Sequence, residues 1–366
     1  MANEDSNENP GSRARLIEEL MVAFSQDQSD NYSNWLSRQA QVPKRLYHYT
    51  TIDGLMGIVG ANALWASDVR FMNDSSELSY AVDLVDDVVE ERIANVSDET
   101  LKNALPTRRG FTDTFEYGRR PFVACFCEEE DLLSQWRGYG TGQAGVSLGF
   151  DLRVMSMADR LPPRTFLRKV VYGREEQRSA VAAAVDAWLA TAQTLLDKGA
   201  VDINELFPYP AIWALQEALA EQQLCFKHPT FREEQEWRLI KMVNVREELS
   251  LLSHLRTEAT LRDADEQMQR LGMNMPPRPP ASFFPQSDAE GLNLLFRKSA
   301  LGLVPYVELP LQDQAGVFHG RLPLWEVRQG PTLNPGLAME SLSMFLESHG
   351  YGMHTDLSVS EIPLRP

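Results

Sequence analysis

The sequence RLYHYTT at residues 45–51 starts the part of the chain that we predict to fold into a domain. It is rich in aromatic and β-branched residues, which favour a β-strand. Because side chains alternate between the two faces of a strand, Leu46 and His48 are expected on one face and Tyr47 and Tyr49 on the other. The following sequence, TIDGLMGIVGANALWAS, has the apolar spacing of a helix that leads into another extended segment.

Further strands and helices are predicted downstream. PFVACFC is apolar on both faces and predicts a buried central strand, and GVSLGFD and EQEWRLIKM predict two more. Helical spacing predicts helical insertions near residues 76–105, 178–225 and 243–290.

The domain organisation follows from composition along the chain. Residues 1–43 are expected to be a disordered leader followed by an N-terminal helical segment, in which Ser12 is the candidate N-cap. Residues 44–366 are expected to form a single domain that contains the helical insertions. The length of 366 residues is enough for a large apolar core.

Charge and cysteine content exclude several classes of protein. The 52 acidic and 35 basic residues give a net charge of −17, which disfavours a broad basic surface for duplex DNA. Three cysteines make no disulfide framework and fit a reducing compartment, and Cys125 and Cys127 are expected to be packed thiols. No secretory signal or membrane-spanning run is recognised, so we expect a cytoplasmic protein without a membrane partner.

Standard nucleotide and metal motifs are absent from the sequence. GYGTGQAG at residues 138–145 is rich in glycine, but it precedes a predicted strand, whereas a dinucleotide fingerprint opens a helix. A phosphoryl-transfer enzyme with a metal held by four acidic residues remains an alternative, and no resident metal is expected otherwise. Those four residues are Asp74, Glu77, Glu234 and Glu236.

Three groups of residues are candidates for a functional site. The first is His48, although a histidine bonded to the backbone is an equally good interpretation. The second group follows the central strand, where Trp136 is also a candidate for core packing. The third lies in EQEWR, where a strand would place two carboxylates on one face, either as a solvated surface or as a catalytic pair. The second and third groups comprise Ser134, Trp136 and Tyr139, and Glu234, Glu236 and Arg238.

Several ordered motifs resemble a bacterial family, the domain-of-unknown-function family 2971. They are LYHYTT, FMNDSSEL, PFVACFC, LLSQWRGYG, GVSLGFD, KHPTFREEQEWRLI, VPYVEL and SEIPLR, and together they cover residues 44–365. The resemblance implies a relation to the ADP-ribosyltransferase fold. On that basis we expect an α+β fold with a mixed, mainly antiparallel, split β-sheet core around a cleft for NAD.

The resemblance also implies roles for the candidate residues. His48 matches the histidine of the first strand, and Glu236 matches the late catalytic glutamate, with Glu234 as its upstream partner. The second position of the set is one of Ser134, Trp136 and Tyr139. The residues expected to bind NAD, the substrate, are His48, Tyr49, Thr50, Ser134, Trp136, Tyr139 and Arg238.

Cleavage of the bond between nicotinamide and ribose develops an oxocarbenium ion, which a fixed carboxylate stabilises. With this chemistry, the resemblance implies an NAD-consuming ADP-ribosyltransferase-like enzyme, a toxin or phage-defence effector that modifies a protein or nucleic-acid target. Acidity favours a protein acceptor over duplex DNA. Arg297 and Lys298 are candidates for a pyrophosphate contact or for a surface role. The alternative is a non-catalytic module that senses a nucleotide or binds a protein.

Overall fold

The structure is a computed structural model of the 366-residue chain. It describes residues 41–72, 75–104, 119–139, 145–152, 165–197, 215, 219–244, 294–299, 302–311 and 316–363. The predicted N-terminal helical segment and almost all of the insertion predicted at 243–290 lie outside the described residues.

The described residues form ten strands and six α-helices with defined bounds, with two short 3₁₀ turns at Val69–Phe71 and Pro229–Glu234, and residues 219–223 are also helical. The strands are β1 Leu46–Thr51, β2 Leu64–Asp68, β3 Arg119–Cys127, β4 Gly145–Phe150, β5 Thr165–Lys169, β6 Glu236–Asn244, β7 Leu295–Ser299, β8 Gly302–Leu309, β9 Leu324–Gln329 and β10 Asp356–Val359. The helices are α1 Ile52–Ala61, α2 Ser75–Ala94, α3 Glu99–Ala104, α4 Leu133–Tyr139, α5 Arg174–Asp197 and α6 Pro335–Ser348.

Strand β3 is the centre of the sheet. One of its edges pairs with β6 over all nine residues. Its other edge is shared by two strands, because β1 pairs at Cys127 and β2 pairs at Val123 and Phe122. Beyond β1 the order continues through β4 and β9 to β10, and beyond β2 it continues through β8 to β7. The sheet therefore divides into two branches along one edge of β3.

The pairing of the described strands is antiparallel except between β9 and β10, which are parallel. Helices occur between the strands instead of forming a separate block. The expectation of an α+β fold with a mixed, mainly antiparallel sheet is thus confirmed at this level.

The sheet has an apolar core on each face. One core contains Leu46, Leu148 and Phe126 and is covered by α1 and α6, and we call its side of the sheet the first face. The other core contains Val123 and Ile240 and is covered by α2 and α5, and we call that side the second face. The alternation predicted for β1 is confirmed, since Leu46 belongs to the first face, whereas Tyr47 and Tyr49 form a separate cluster with Trp136.

Helix α1 follows β1 without a loop because Thr51 caps it. The Thr51 hydroxyl accepts a hydrogen bond from the Gly54 amide at 3.1 Å, and Asn62 ends the helix in the left-handed region with φ of 52°. Its buried residues are Leu55, Ile58 and Val59, as the spacing predicted. In the part of the chain that the structure describes, no helix is both long enough and apolar enough to cross a bilayer.

Candidate functional site

The two glutamates of EQEWR belong to a cluster of four charged side chains. Glu236 Oε1 is 2.8 Å from Arg238 Nε, and Glu236 Oε2 is 2.9 Å from Lys227 Nζ. Lys227 Nζ also lies 2.6 Å from Glu234 Oε2. Glu236, Arg238 and Lys227 are only 3–6% exposed at their side chains, whereas Glu234 is 21% exposed. The cluster therefore carries balanced charge, and Glu234 is its accessible carboxylate.

The surroundings of Glu236 determine its ionisation. Burial alone raises the pKa of a carboxyl, but the neighbouring charges of Arg238 and Lys227 outweigh burial and lower the pKa of Glu236 to about 2. Its backbone amide donates to the Tyr172 hydroxyl at 2.9 Å, and Arg238 Nη1 donates to the Leu224 carbonyl at 2.8 Å. Glu236 is thus a fixed, ionised carboxylate, and the interpretation of EQEWR as a solvated strand face is wrong for this residue.

Glu234 occupies a different element from the one predicted. It is the last residue of the 3₁₀ turn Pro229–Glu234, and Gln235 has a left-handed φ of 42°, so that β6 begins only at Glu236. The predicted strand alternation therefore does not extend to Glu234. The carboxylates of Glu234 and Glu236 nevertheless lie close together, because both bind the ammonium group of Lys227.

His48 lies where the sheet divides. Its Nδ1 is 2.8 Å from the Cys125 carbonyl, a group on β3 between the pairings with β1 and with β2. Because a carbonyl only accepts hydrogen bonds, Nδ1 carries the hydrogen and Nε2 is left as an acceptor in the neutral ring. Burial lowers the pKa of His48 below 6.5, and the charge of Arg297 lowers that pKa further, against the opposing effect of the Cys125 hydrogen bond.

The predicted catalytic residues do not all face the same side of the sheet. Tyr47 is directly opposite Cys127, and Cys127 is directly opposite Glu236, so these three share the second face. His48 follows Tyr47 and points to the first face, where its ring lies 5.7 Å from that of Phe126. The fold brings Glu234, Glu236 and Arg238 together, and it places His48 on the other face, at the division between β1 and β2.

Two of the predicted NAD-binding aromatics form a packed cluster. The rings of Tyr49 and Trp136 meet edge to face at 4.8 Å, and both side chains are buried. The Tyr49 hydroxyl donates to the Glu129 carbonyl at 2.8 Å, and Trp136 Nε1 donates to Asp131 at 2.6 Å. The core-packing interpretation of Trp136 is therefore confirmed by its burial.

The remaining predicted binding residues lie at varied positions. Thr50 is half-buried on β1, opposite Val146. Ser134 is half-buried on α4, and its hydroxyl has no hydrogen-bond partner within the described ranges. Tyr139 is the last residue of α4, and its side chain lies outside the described residues. Arg297 is on β7 and donates a hydrogen bond to the Ser67 hydroxyl of β2 at 3.1 Å. It is therefore partly buried and not only a surface residue.

Sequence reasoning missed Lys227 and Asp131. Asp131 accepts from Trp136 at 2.6 Å, from the Ser360 hydroxyl at 2.6 Å and from the Glu361 amide at 2.8 Å, which ties the C-terminal segment to α4. These hydrogen bonds help to lower the pKa of Asp131 against the effect of its burial. Lys227 begins the motif KHPTFREEQEWR. The proximity in sequence of this lysine to Glu234 and Glu236 is the feature that could have identified it.

Metal ligation is not supported by the described carboxylates. Among the residues that the structure describes, no group of three or more histidine, cysteine or acidic side chains is arranged to hold a metal ion. Glu234 and Glu236 are bound to Lys227, and Asp74 and the side chain of Glu77 lie outside the described residues.

A family model matches part of the chain. No curated protein and no solved structure matches the chain. The family model that matches covers residues 135–239, from α4 to β6, and so includes Trp136 and the cluster of Lys227, Glu234, Glu236 and Arg238. Over residues 135–239 the chain therefore matches the family described as a protein of unknown function, DUF2971. The resemblance predicted from motifs over residues 44–365 is confirmed for this part of the chain.

Proposed function

We propose that this chain is an NAD-consuming ADP-ribosyltransferase-like enzyme that acts as a toxin or phage-defence effector. The observation that carries the proposal is the division of a mainly antiparallel sheet between β1 and β2, with the imidazole of His48 at the division. The family resemblance implies this combination of a split sheet and a histidine on its first strand.

The groups near the division suit a dinucleotide. The neutral His48 ring presents Nε2 as an acceptor for a ribose hydroxyl, since Nδ1 donates to Cys125. Arg297 is close enough to influence His48 electrostatically, and a guanidinium is the side chain that best matches a pyrophosphate. We therefore assign the ribose and pyrophosphate contacts to His48 and Arg297. Because His48 and the Glu236 cluster lie on opposite faces of the sheet, this assignment requires the dinucleotide to extend through the division between β1 and β2 to reach Glu234.

Glu234 is the carboxylate that we assign to the reaction. It is four times as exposed as Glu236, and Lys227 fixes its position. In the reaction the bond between nicotinamide and ribose breaks and its electron pair leaves with nicotinamide. The carboxylate stabilises the oxocarbenium ion, and an acceptor oxygen or nitrogen bonds to the ribose carbon while its proton passes to a base or to water. Glu236 has an indirect role, because its own oxygens are bound to Lys227 and Arg238.

The acceptor is proposed to be a protein or a nucleic acid, with protein favoured. A net charge of −17 opposes long duplex DNA. Labelled NAD added to cell lysate with the purified protein identifies the acceptor, since nuclease and protease treatments release the label from different products.

The test of the proposed reaction is nicotinamide release from NAD by the purified chain, alone and with lysate. Glu234→Gln should abolish release, while its circular dichroism spectrum shows that the variant remains folded at the assay temperature. Glu233→Gln is the matched control, because Glu233 is an exposed carboxylate in the same turn. Release that is equal in the Glu234 variant and the control would rule out the assigned role.

A second candidate function is a non-catalytic module that senses a nucleotide or binds a protein. The observation that favours it is the complete pairing of Glu236, the family-matched glutamate, with Arg238 and Lys227. In that case NAD or another nucleotide raises the melting temperature through preferential binding to the folded state, and no nicotinamide is released.

A further inference from the structure

Lys227 is buried next to the candidate carboxylates and contacts both of them and an aromatic ring. Its ammonium lies 2.6 Å from Glu234 and 2.9 Å from Glu236. The same ammonium is 5.0 Å from the centre of the Phe231 ring, which adds a cation–π contact. An ammonium donates three hydrogen bonds, so one lysine can fix two carboxylates at once.

The backbone of Lys227 is held by the helical layer on the second face of the sheet. Gln177 of α5 donates from Nε2 to the Lys227 carbonyl at 2.9 Å and to the Val171 carbonyl at 2.6 Å. Both amide hydrogens of Gln177 are used in this way. Its Oε1 accepts from the Tyr80 hydroxyl of α2 at 2.7 Å, which fixes the orientation of the amide.

These contacts form a continuous series from α2 to the carboxylates. It runs from Tyr80 to Gln177, from Gln177 to the backbone of Lys227, and from the Lys227 ammonium to Glu234. Glu236 lies on β6 and is also held by Arg238, whereas Glu234 lies in the 3₁₀ turn Pro229–Glu234. Lys227 therefore connects Glu234 in this turn to the helical layer.

We propose that Lys227 is the positioning residue of this site, and that Gln177 and Tyr80 set its position from the helical layer. Its role in turnover rests on the proposed function, with Glu234 as the carboxylate that acts on NAD. Displacement of a reacting group by about 1 Å is enough to cost about a hundredfold in rate. The effect is expected on kcat more than on KM, because the substrate contacts assigned to His48 and Arg297 lie elsewhere.

The experiment measures nicotinamide release by Lys227→Met, Lys227→Arg and Tyr80→Phe. Lys227→Met should reduce kcat by about a hundredfold, and Lys227→Arg should restore part of the loss because it retains the charge. Tyr80→Phe removes one hydroxyl and no charge, so it keeps the proposal testable if Lys227→Met fails to fold. It should reduce kcat by about threefold to tenfold at unchanged KM. Turnover within about threefold of the native value in Lys227→Met, or unchanged turnover in Tyr80→Phe, overturns the proposal.

A second measurement does not depend on turnover. The carboxyl ¹³C resonances of Glu234 and Glu233 are compared in the native chain and in Tyr80→Phe. The Glu234 resonance should move while that of exposed Glu233 stays in place. If the native chain releases no nicotinamide but the Glu234 resonance moves, the proposed function fails and the positioning of Glu234 by Lys227 is supported. If the Glu234 resonance does not move, the positioning inference fails whatever the reaction.

Discussion

Replacing Glu236 with glutamine tests whether the buried charge cluster stabilises the fold. The substitution keeps the shape of the side chain but removes its charge. Arg238 and Lys227, at side-chain exposures of 3% and 6%, are then left with Glu234 as their only cluster carboxylate. Removal of one partner from a buried ion pair typically costs about 3–5 kcal/mol. We therefore expect Glu236→Gln to lower the free energy of unfolding at pH 7 by about that amount.

The pH dependence of this loss follows from the pKa of Glu236. Folding lowers that pKa from 4.5 to about 2, so the native carboxylate contributes stability above pH 4.5 and loses it as the pH falls towards 2. A shift of this size corresponds to about 3 kcal/mol at pH 7. Between pH 7 and pH 3, the difference in the free energy of unfolding between the native chain and Glu236→Gln should decrease by about 2 kcal/mol.

The assay is urea-induced unfolding of both proteins at pH 7 and pH 3. Glu233→Gln is the control, because its exposed carboxylate should change the free energy of unfolding by less than about 0.5 kcal/mol. A Glu236 variant within about 0.5 kcal/mol of the native chain at pH 7 would refute the reasoning. If the difference in the free energy of unfolding stays constant from pH 7 to pH 3, the argument from the lowered pKa of Glu236 is wrong.

Two more predictions concern α1 and β1. A Cβ at Gly57 would lie 2.1 Å from the Trp65 ring, so Gly57→Ala should lower stability by about 1–3 kcal/mol. A Cβ added at Gly60 in the same helix would meet none of the described neighbouring atoms within 4 Å, so Gly60→Ala should raise the free energy of unfolding by about 0.5–1 kcal/mol. Equal melting temperatures for the two variants would contradict the packing argument. Because the folded pKa of His48 lies below 6.5, the unfolded chain binds more protons and native stability falls as the pH drops below that value. His48→Gln should show a shallower fall between pH 7.5 and pH 5.5 by urea unfolding, and parallel curves would exclude the buried neutral ring.

The local features of the strands could be predicted because they depend on neighbouring residues. The period of two in LYHYTT placed Leu46 apart from Tyr47 and Tyr49, as the structure does. The same reasoning began β6 two residues too early, because a left-handed residue at Gln235 interrupts the extended chain before Glu236. A single backbone conformation at a residue other than glycine leaves little trace in residue type.

The candidate site was predicted less completely, because it depends on pairing between distant segments. The motif EQEWR indicated two important carboxylates, but no spacing rule indicated that Lys227 would neutralise both. The relation between His48 and Glu236 depends on the register of β1 on β3 and of β3 on β6. A shift of one residue in either pairing would exchange the faces.

By itself, the sequence determined several of the helices and strands, the burial of their apolar faces, the acidic charge and the family motifs of residues 135–239. These are properties of composition and short-range periodicity, which neighbouring residues specify. Tertiary structure alone decided that β1 and β2 share one edge of β3, that His48 lies at their division, and that Lys227 joins Glu234 to Glu236. Strand register and the burial of charge are properties of the folded chain, because they arise only when segments far apart in sequence pack together.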